Sequence, residues 1–402
     1  MDASTWKRVL LSAAALQLAV AGCSTPQRLP AVPVSAINQA SQAFGPVRFL
    51  VSRESDSFAA EARSALAKEQ AWLASQGQTG ELPPVYLLAI SGGGDNGAYG
   101  AGFLNGWTAA GTRPEFKVVT GISTGALIAP FAFVGPKYDH VIKTVYTSTA
   151  QKDIFKKRKI TAALFGDSMA DTGPLAKVIE SYVTPDFLHE IAAEYAKGRV
   201  LLVGTTNLDS LEPVIWNMTA IAASQHPRAI GLFRQILLAS ASIPGAFPPV
   251  MIDINIDGAN YQEMHVDGGT VTQVFIYPPS FGANVNLVKR KRVLYILRNA
   301  RLDPDWASTE RRTMTIAMRA IDALTTTQGI GDLYRIYATA QRDGLDFNLT
   351  FIPPTFTTPH REMFDTAYMQ SLYAVGFEAA KGGYQWQKYP PGFDTPLRAT
   401  TP

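Results

Sequence analysis

The chain has 402 residues, 47% apolar and 17% charged, with 36 Lys and Arg against 33 Asp and Glu and a formal net charge of +3. So even a balance rules out a strong global electrostatic pull, and no nucleic-acid partner is expected. The apolar fraction suits one large globular domain; a single cysteine excludes an internal disulfide, and the five histidines form no metal-ligand pattern, so neither metal nor cofactor is expected.

Lys7 and Arg8 precede the apolar run 9–21, which is too short to span a bilayer and has the shape of a secretory signal. It ends in Val20-Ala21-Gly22-Cys23, which resembles a bacterial lipoprotein signal (residues 1–22) in which Cys23 is lipidated and becomes the new N-terminus. Removing residues 1–22 takes away Asp2, Lys7 and Arg8 and leaves a net charge of +2. Residues 23–46, rich in Pro, Ala, Ser and Gln, read as a flexible spacer that tethers the rest to a membrane. Ser24 after the cysteine resembles the sorting pattern for the outer membrane, facing the periplasm. Residues 47–82 form an N-terminal extension with a solvated helix over 56–76.

Residues 83–388 read as the catalytic domain. The run Val85-Tyr86-Leu87-Leu88-Ala89-Ile90 reads as a buried parallel strand. It leads into Ser91-Gly92-Gly93-Gly94-Asp95-Asn96-Gly97, where three successive glycines leave backbone N–H groups unshielded, so that the loop can wrap a small anion. Gly92, Gly94 and Gly97 also fit a dinucleotide fingerprint, but another motif occupies the place of its ribose-binding acid; a P-loop would need a Gly-Lys-Ser/Thr, which does not follow. A tight turn with only a packing role is the remaining rival. After a helix near 98–110 and a short strand comes Gly121-Ile122-Ser123-Thr124-Gly125, the G-x-S-x-G pattern of a serine held on a strand-to-helix turn. Composition alone produces that pentapeptide in roughly one chain in seven of this length. The glycine loop before it is what gives it weight.

Two basic runs, 156–159 and 289–292, read either as solvated faces or as contacts for anionic lipid head groups. Phe155, Ile160, Leu164 and Phe165 beside the first either pack in the core or line an acyl groove. Strands follow near 199–206 and 213–219, then a helix near 228–241 and a hairpin turning at Asp257-Gly258 and ending in His265-Val266-Asp267-Gly268-Gly269. His265 shares the strand face of Asp267 and is read as a packing or orienting neighbour. A strand at 292–297, helices near 306–327 and 362–380 flanking a strand at 347–352, and an irregular tail at 389–402 complete the chain. Strands alternating with helices imply a three-layer α/β/α fold with a largely parallel central sheet, its functional loops at the carboxyl edge.

In four ordered pieces the chain resembles the patatin-like phospholipase family, lipid acyl hydrolases that use a Ser-Asp dyad: the loop Gly92 to Gly97, the turn Gly121 to Gly125, Ala241-Ser242-Ile243-Pro244 with Phe247-Pro248, and Asp267-Gly268-Gly269. The resemblance implies a patatin-like fold, Ser123 as nucleophile, Asp267 as general base, and an oxyanion hole from Gly92, Gly93, Gly94 and Asp95, acting on a lipid ester, in particular membrane phospholipid. Relatives often carry a basic residue where this chain has Asn96. The rival mechanism is a Ser-Asp-His triad of the α/β-hydrolase type, for which His360 is the one histidine that follows Asp267. A non-catalytic envelope lipoprotein that keeps the fold as a binding scaffold is the rival of another class.

Overall fold

Runs such as that at 85–90 are apolar on both faces, and strands of this kind are stable only when helices cover both sides of the sheet. The computed structural model describes residues 26–39, 45, 47–51, 55–158, 166–278, 281, 288–304, 306 and 308–393. Within these, a nine-stranded sheet is built from β1 (Arg48–Leu50), β2 (Val85–Ile90), β3 (Val118–Ile122), β4 (Val200–Asn207), β5 (Glu212–Asn217), β6 (Val250–Ile256), β7 (Ala259–Asp267), β8 (Arg292–Arg298) and β9 (Asp346–Phe351). The order across the sheet is β1, β5, β4, β3, β2, β8, β9. The run from β4 to β9 is parallel, whereas β1 and β5 form an antiparallel edge. The β6–β7 hairpin joins β4 by three antiparallel pairs, among them Thr205 with Asp267.

The α-helices of six residues or more are α1 (Ser55–Ser75), α2 (Gly97–Ala109), α3 (Thr124–Val134), α4 (Asp139–Ser148), α5 (Gly173–Tyr182), α6 (Pro185–Ala196), α7 (Met218–Ala223), α8 (Ala229–Ser240), α9 (Thr313–Asp343) and α10 (Thr366–Lys381). Alternate strand residues divide the core in two. Leu88, Ile90, Val119, Leu201 and Leu297 pack beneath α2, α3, α8 and α10. Leu87, Ala89, Leu202, Leu294 and Ile296 pack beneath α1 and α9. The fold is therefore an α/β one, with a mixed, largely parallel sheet between two helical layers, as its strand pattern implies.

Several expectations need correction. The helix expected at 306–327 begins at Thr313 and runs to Asp343, where Gly344 ends it in a left-handed conformation, φ 67°. The last helix begins at Thr366, capped by Asp365, so His360 stands ahead of it in irregular chain. Part of the segment read as a flexible spacer is held against the sheet: Arg28 pairs with Asp209 at 2.7 Å, the Leu29 N–H donates to Gln262 at 2.9 Å, and Ile37 is buried. In the second basic run, Arg290 and Arg292 turn inwards, to Glu69 and to the Asp343 and Val288 carbonyls. Cys23, Ile160, Leu164 and Phe165 lie outside the described residues.

Candidate active site

The carboxyl ends of the parallel strands set the site. At the end of β3, Ser123 has φ 54° and ψ −125°, a conformation that costs a side-chain-bearing residue on the order of 1–3 kcal/mol, and α3 starts at the next residue. The turn closes this tightly because Gly125 has no side chain: a Cβ there would lie 2.3 Å from the Ile90 carbonyl oxygen. Ser123 is pinned from below by its own N–H, which donates to Ser240 Oγ at 3.0 Å, while that hydroxyl donates to the Gly204 carbonyl at 2.7 Å.

At the end of β7, Asp267 lies beside the serine. Its N–H donates to the Ser242 carbonyl at 2.9 Å, and its own carbonyl accepts from Thr206 Oγ1 at 3.0 Å. With the backbone fixed, Asp267 Oδ2 accepts from Ser123 Oγ at 2.6 Å and Oδ1 accepts from the Gly269 N–H at 2.6 Å. Both side chains are buried. Burial pushes the Asp267 carboxyl up to about 7, against the opposite pull of the Ser123 and Gly269 hydrogen bonds. The carboxylate is thereby a much better base than an exposed aspartate.

The glycine loop crosses above the serine. Gly92 packs close enough that a Cβ there would lie 3.2 Å from Ser123 Cβ, and Gly93 passes so near Asn299 that a Cβ would fall 2.1 Å from its carbonyl oxygen. Asn299 also holds the loop through Ser91 and through the Gly100 N–H. The Gly92 N–H is committed to the Gln273 carbonyl at 3.0 Å, which removes it from the expected oxyanion donors. Among the described residues, neither the Gly93 nor the Gly94 N–H donates to a protein acceptor, and Gly94 faces the same cavity as Ser123. Asp95 turns its carboxylate the other way. Its Oδ2 accepts from His360 Nε2 and from the Phe364 N–H, each at 2.7 Å. Asn96 accepts from the Tyr368 hydroxyl at 2.6 Å, so its amide is directed at α10.

His360 is thus bonded to the glycine loop, and Ser123 reaches Asp267 with no imidazole between them. His265 is fully buried on β7, with Nδ1 on Thr205 at 2.9 Å and Nε2 on Glu263 at 3.2 Å, and Glu263 in turn pairs with Arg48 at 2.5 Å. Burial alone would raise Glu263, but the His265 hydrogen bond and the Arg48 charge bring it down to about 2. This network braces the strand that carries Asp267 without touching the carboxyl.

Beyond Ser123 opens a cavity of about 790 Å³ including its mouth, lined among others by Leu127, Leu175, Val178, Ile179, Phe247 and Phe364. Apart from the serine end its walls are almost wholly apolar, which suits an alkyl chain and little else. Phe155 backs the cavity through ring contacts with Phe247 and Phe364. Ser240, Gln273 and Asn299 were not foreseen: Ser240 and Gln273 flank the pieces at 241–244 and 267–269 without belonging to them, and Asn299 has no motif around it.

The patatin-like phospholipase family model matches residues 88–278, the span from the glycine-loop strand to just past Asp267. A patatin-like phospholipase domain implies lipid acyl hydrolysis. Among solved structures, VipD from Legionella pneumophila aligns over 76% of this chain and 68% of its own, at 13% identity and a TM-score of 0.38. A comparison with curated proteins finds no match.

Proposed function

Because residues 88–278 match the patatin-like phospholipase family, we propose that the protein is a serine hydrolase that cleaves the carboxylic esters of membrane phospholipids or their lyso forms through a Ser123–Asp267 dyad. The observation that carries this reading is the 2.6 Å contact between Ser123 Oγ and Asp267 Oδ2 at the head of an apolar cavity. Asp267 takes the Ser123 proton as Oγ attacks the ester carbonyl carbon, and the resulting oxyanion is met by the Gly93 and Gly94 N–H groups. Collapse breaks the ester bond; the leaving alkoxide takes the proton from Asp267, and the acyl chain stays on Ser123 in the cavity. Water then gives a proton to Asp267 as it attacks the acyl carbon, and Ser123 recovers that proton as the fatty acid leaves. Lipidation of Cys23 would hold this chemistry at an envelope membrane, which fractionation of wild type against Cys23→Ala tests directly.

The decisive experiment is intact mass after treatment with an alkyl fluorophosphonate. One adduct is expected in wild type and in His360→Ala, none in Ser123→Ala, and labelling slowed by about two to four orders of magnitude in Asp267→Asn. Loss of labelling in a folded His360→Ala protein would establish the triad instead. A wild type that takes no adduct would favour the binding scaffold.

A further inference from the structure

A second cavity lies on the opposite face of the sheet from the one at Ser123, between α1 and the amino ends of β2, β3 and β4. It holds about 980 Å³ including its mouth, within the range of small-molecule sites, and its walls include Phe58, Ala62, Leu87, Leu202, Ile276 and Leu345. What distinguishes it from a packing gap is its polar end. Lys117 and Arg290 both line it, and both depend on one carboxylate: Glu69 lies 3.0 Å from Lys117 Nζ and 2.9 Å from Arg290. Lys117 Nζ is buried, and Glu69 is the one acid it pairs with among the described residues. Burial pulls its pKa down to about 8, partly offset by Glu69. The other acid on the wall, Glu61, is engaged by the Tyr195 hydroxyl at 3.0 Å, and burial raises its pKa. Lys117, Arg290 and Arg292 on the wall against Glu61 and Glu69 make three cations to two acids, which leaves this end with a net positive charge.

We infer that this cavity binds a single-chain anionic lipid, its alkyl chain along the apolar wall and its carboxylate or phosphate on Lys117 and Arg290. The inference rests on the geometry of this face alone and does not depend on the chemistry read for Ser123.

The test uses the full protein and a polyene fatty acid that fluoresces only when shielded from water. Two equivalents should bind to wild type. Ala62→Phe, which fills the second cavity from α1, should remove one; Val178→Trp, which narrows the cavity at Ser123, should affect the other. Lys117→Met should weaken one equivalent at least tenfold and Lys117→Arg should restore it, with fluorophosphonate labelling unchanged in both. Displacement by dodecanoate and by dodecyl phosphate separates the two head groups, and dodecanol should displace poorly from this site. A single equivalent sensitive only to Val178→Trp would overturn the proposal. So would dodecanol competing as well as dodecanoate, or two equivalents surviving both Ala62→Phe and Lys117→Met.

Discussion

In the proposed dyad Asp267 takes a proton from Ser123, which an aspartate does well only if its surroundings make it basic, and burial raises its pKa. With the carboxyl at about 7, the acylation rate should climb as pH rises through neutrality and level off above it, because only the ionised form accepts the proton. The same burial has a thermodynamic cost. The folded carboxyl titrates near 7 and an unfolded aspartate near ~3.9, so stability from this group is full below about pH 4 and is lost as pH rises through 7. A gap of that size corresponds to about 4 kcal/mol at most. Asp267→Asn should therefore be nearly inactive yet more resistant to denaturant than wild type at pH 8, with the gain shrinking towards pH 5; equal gains at both would refute the burial account. At this scale the sequence was informative where chemistry is local. Ser123, Asp267 and the glycines announce themselves by a turn pattern, whereas Ser240, beside the piece at 241–244, and Asn299 act through contacts more than a hundred residues away in the chain that no local pattern indicates.

Elements were legible where periodicity and punctuation agree. The strand entering the glycine loop was placed at 85–90, where it is found, because it is an apolar run closed by glycines. α9 was not, since its first half is exposed and its buried second half, around Leu333, Ile336, Tyr337 and Ala340, depends on the sheet to show which side is inward. The clasp from Asp95 to His360 and Phe364 likewise joins pieces that no short-range pattern connects. Where glycine does report on an element, it does so through steric fit. Gly125→Ala would place a methyl 2.3 Å from the Ile90 carbonyl, forcing α3 away from β2, and should cost more than about 3 kcal/mol in a denaturant titration. Gly231→Ala, with nothing within 4 Å of its added methyl and a helical backbone, should be neutral or mildly stabilising.

For the molecule as a whole, alternation of strands and helices indicates a parallel sheet and locates the functional edge, but it does not reveal what the helices enclose. Cavities are made by side chains from many elements, and the one at Ser123 draws on α3, α4, α5 and α8 at once. Its size should set the accepted acyl length. Val178→Trp, at a half-buried position on that wall, should shift the optimum in a series of p-nitrophenyl esters towards shorter chains while fluorophosphonate labelling persists; an unchanged optimum would mean that the chain lies elsewhere.

The two halves of the proposed dyad come from opposite ends of a long stretch of chain: Ser123 at the end of a central parallel strand, Asp267 on an antiparallel hairpin held to that sheet by three residue pairs. A nascent chain in which the hairpin has yet to dock carries a serine with no base beside it. Reactivity towards a fluorophosphonate is then a clock for assembly, switching on when the last piece seats. Timed labelling during refolding would report completion of the fold.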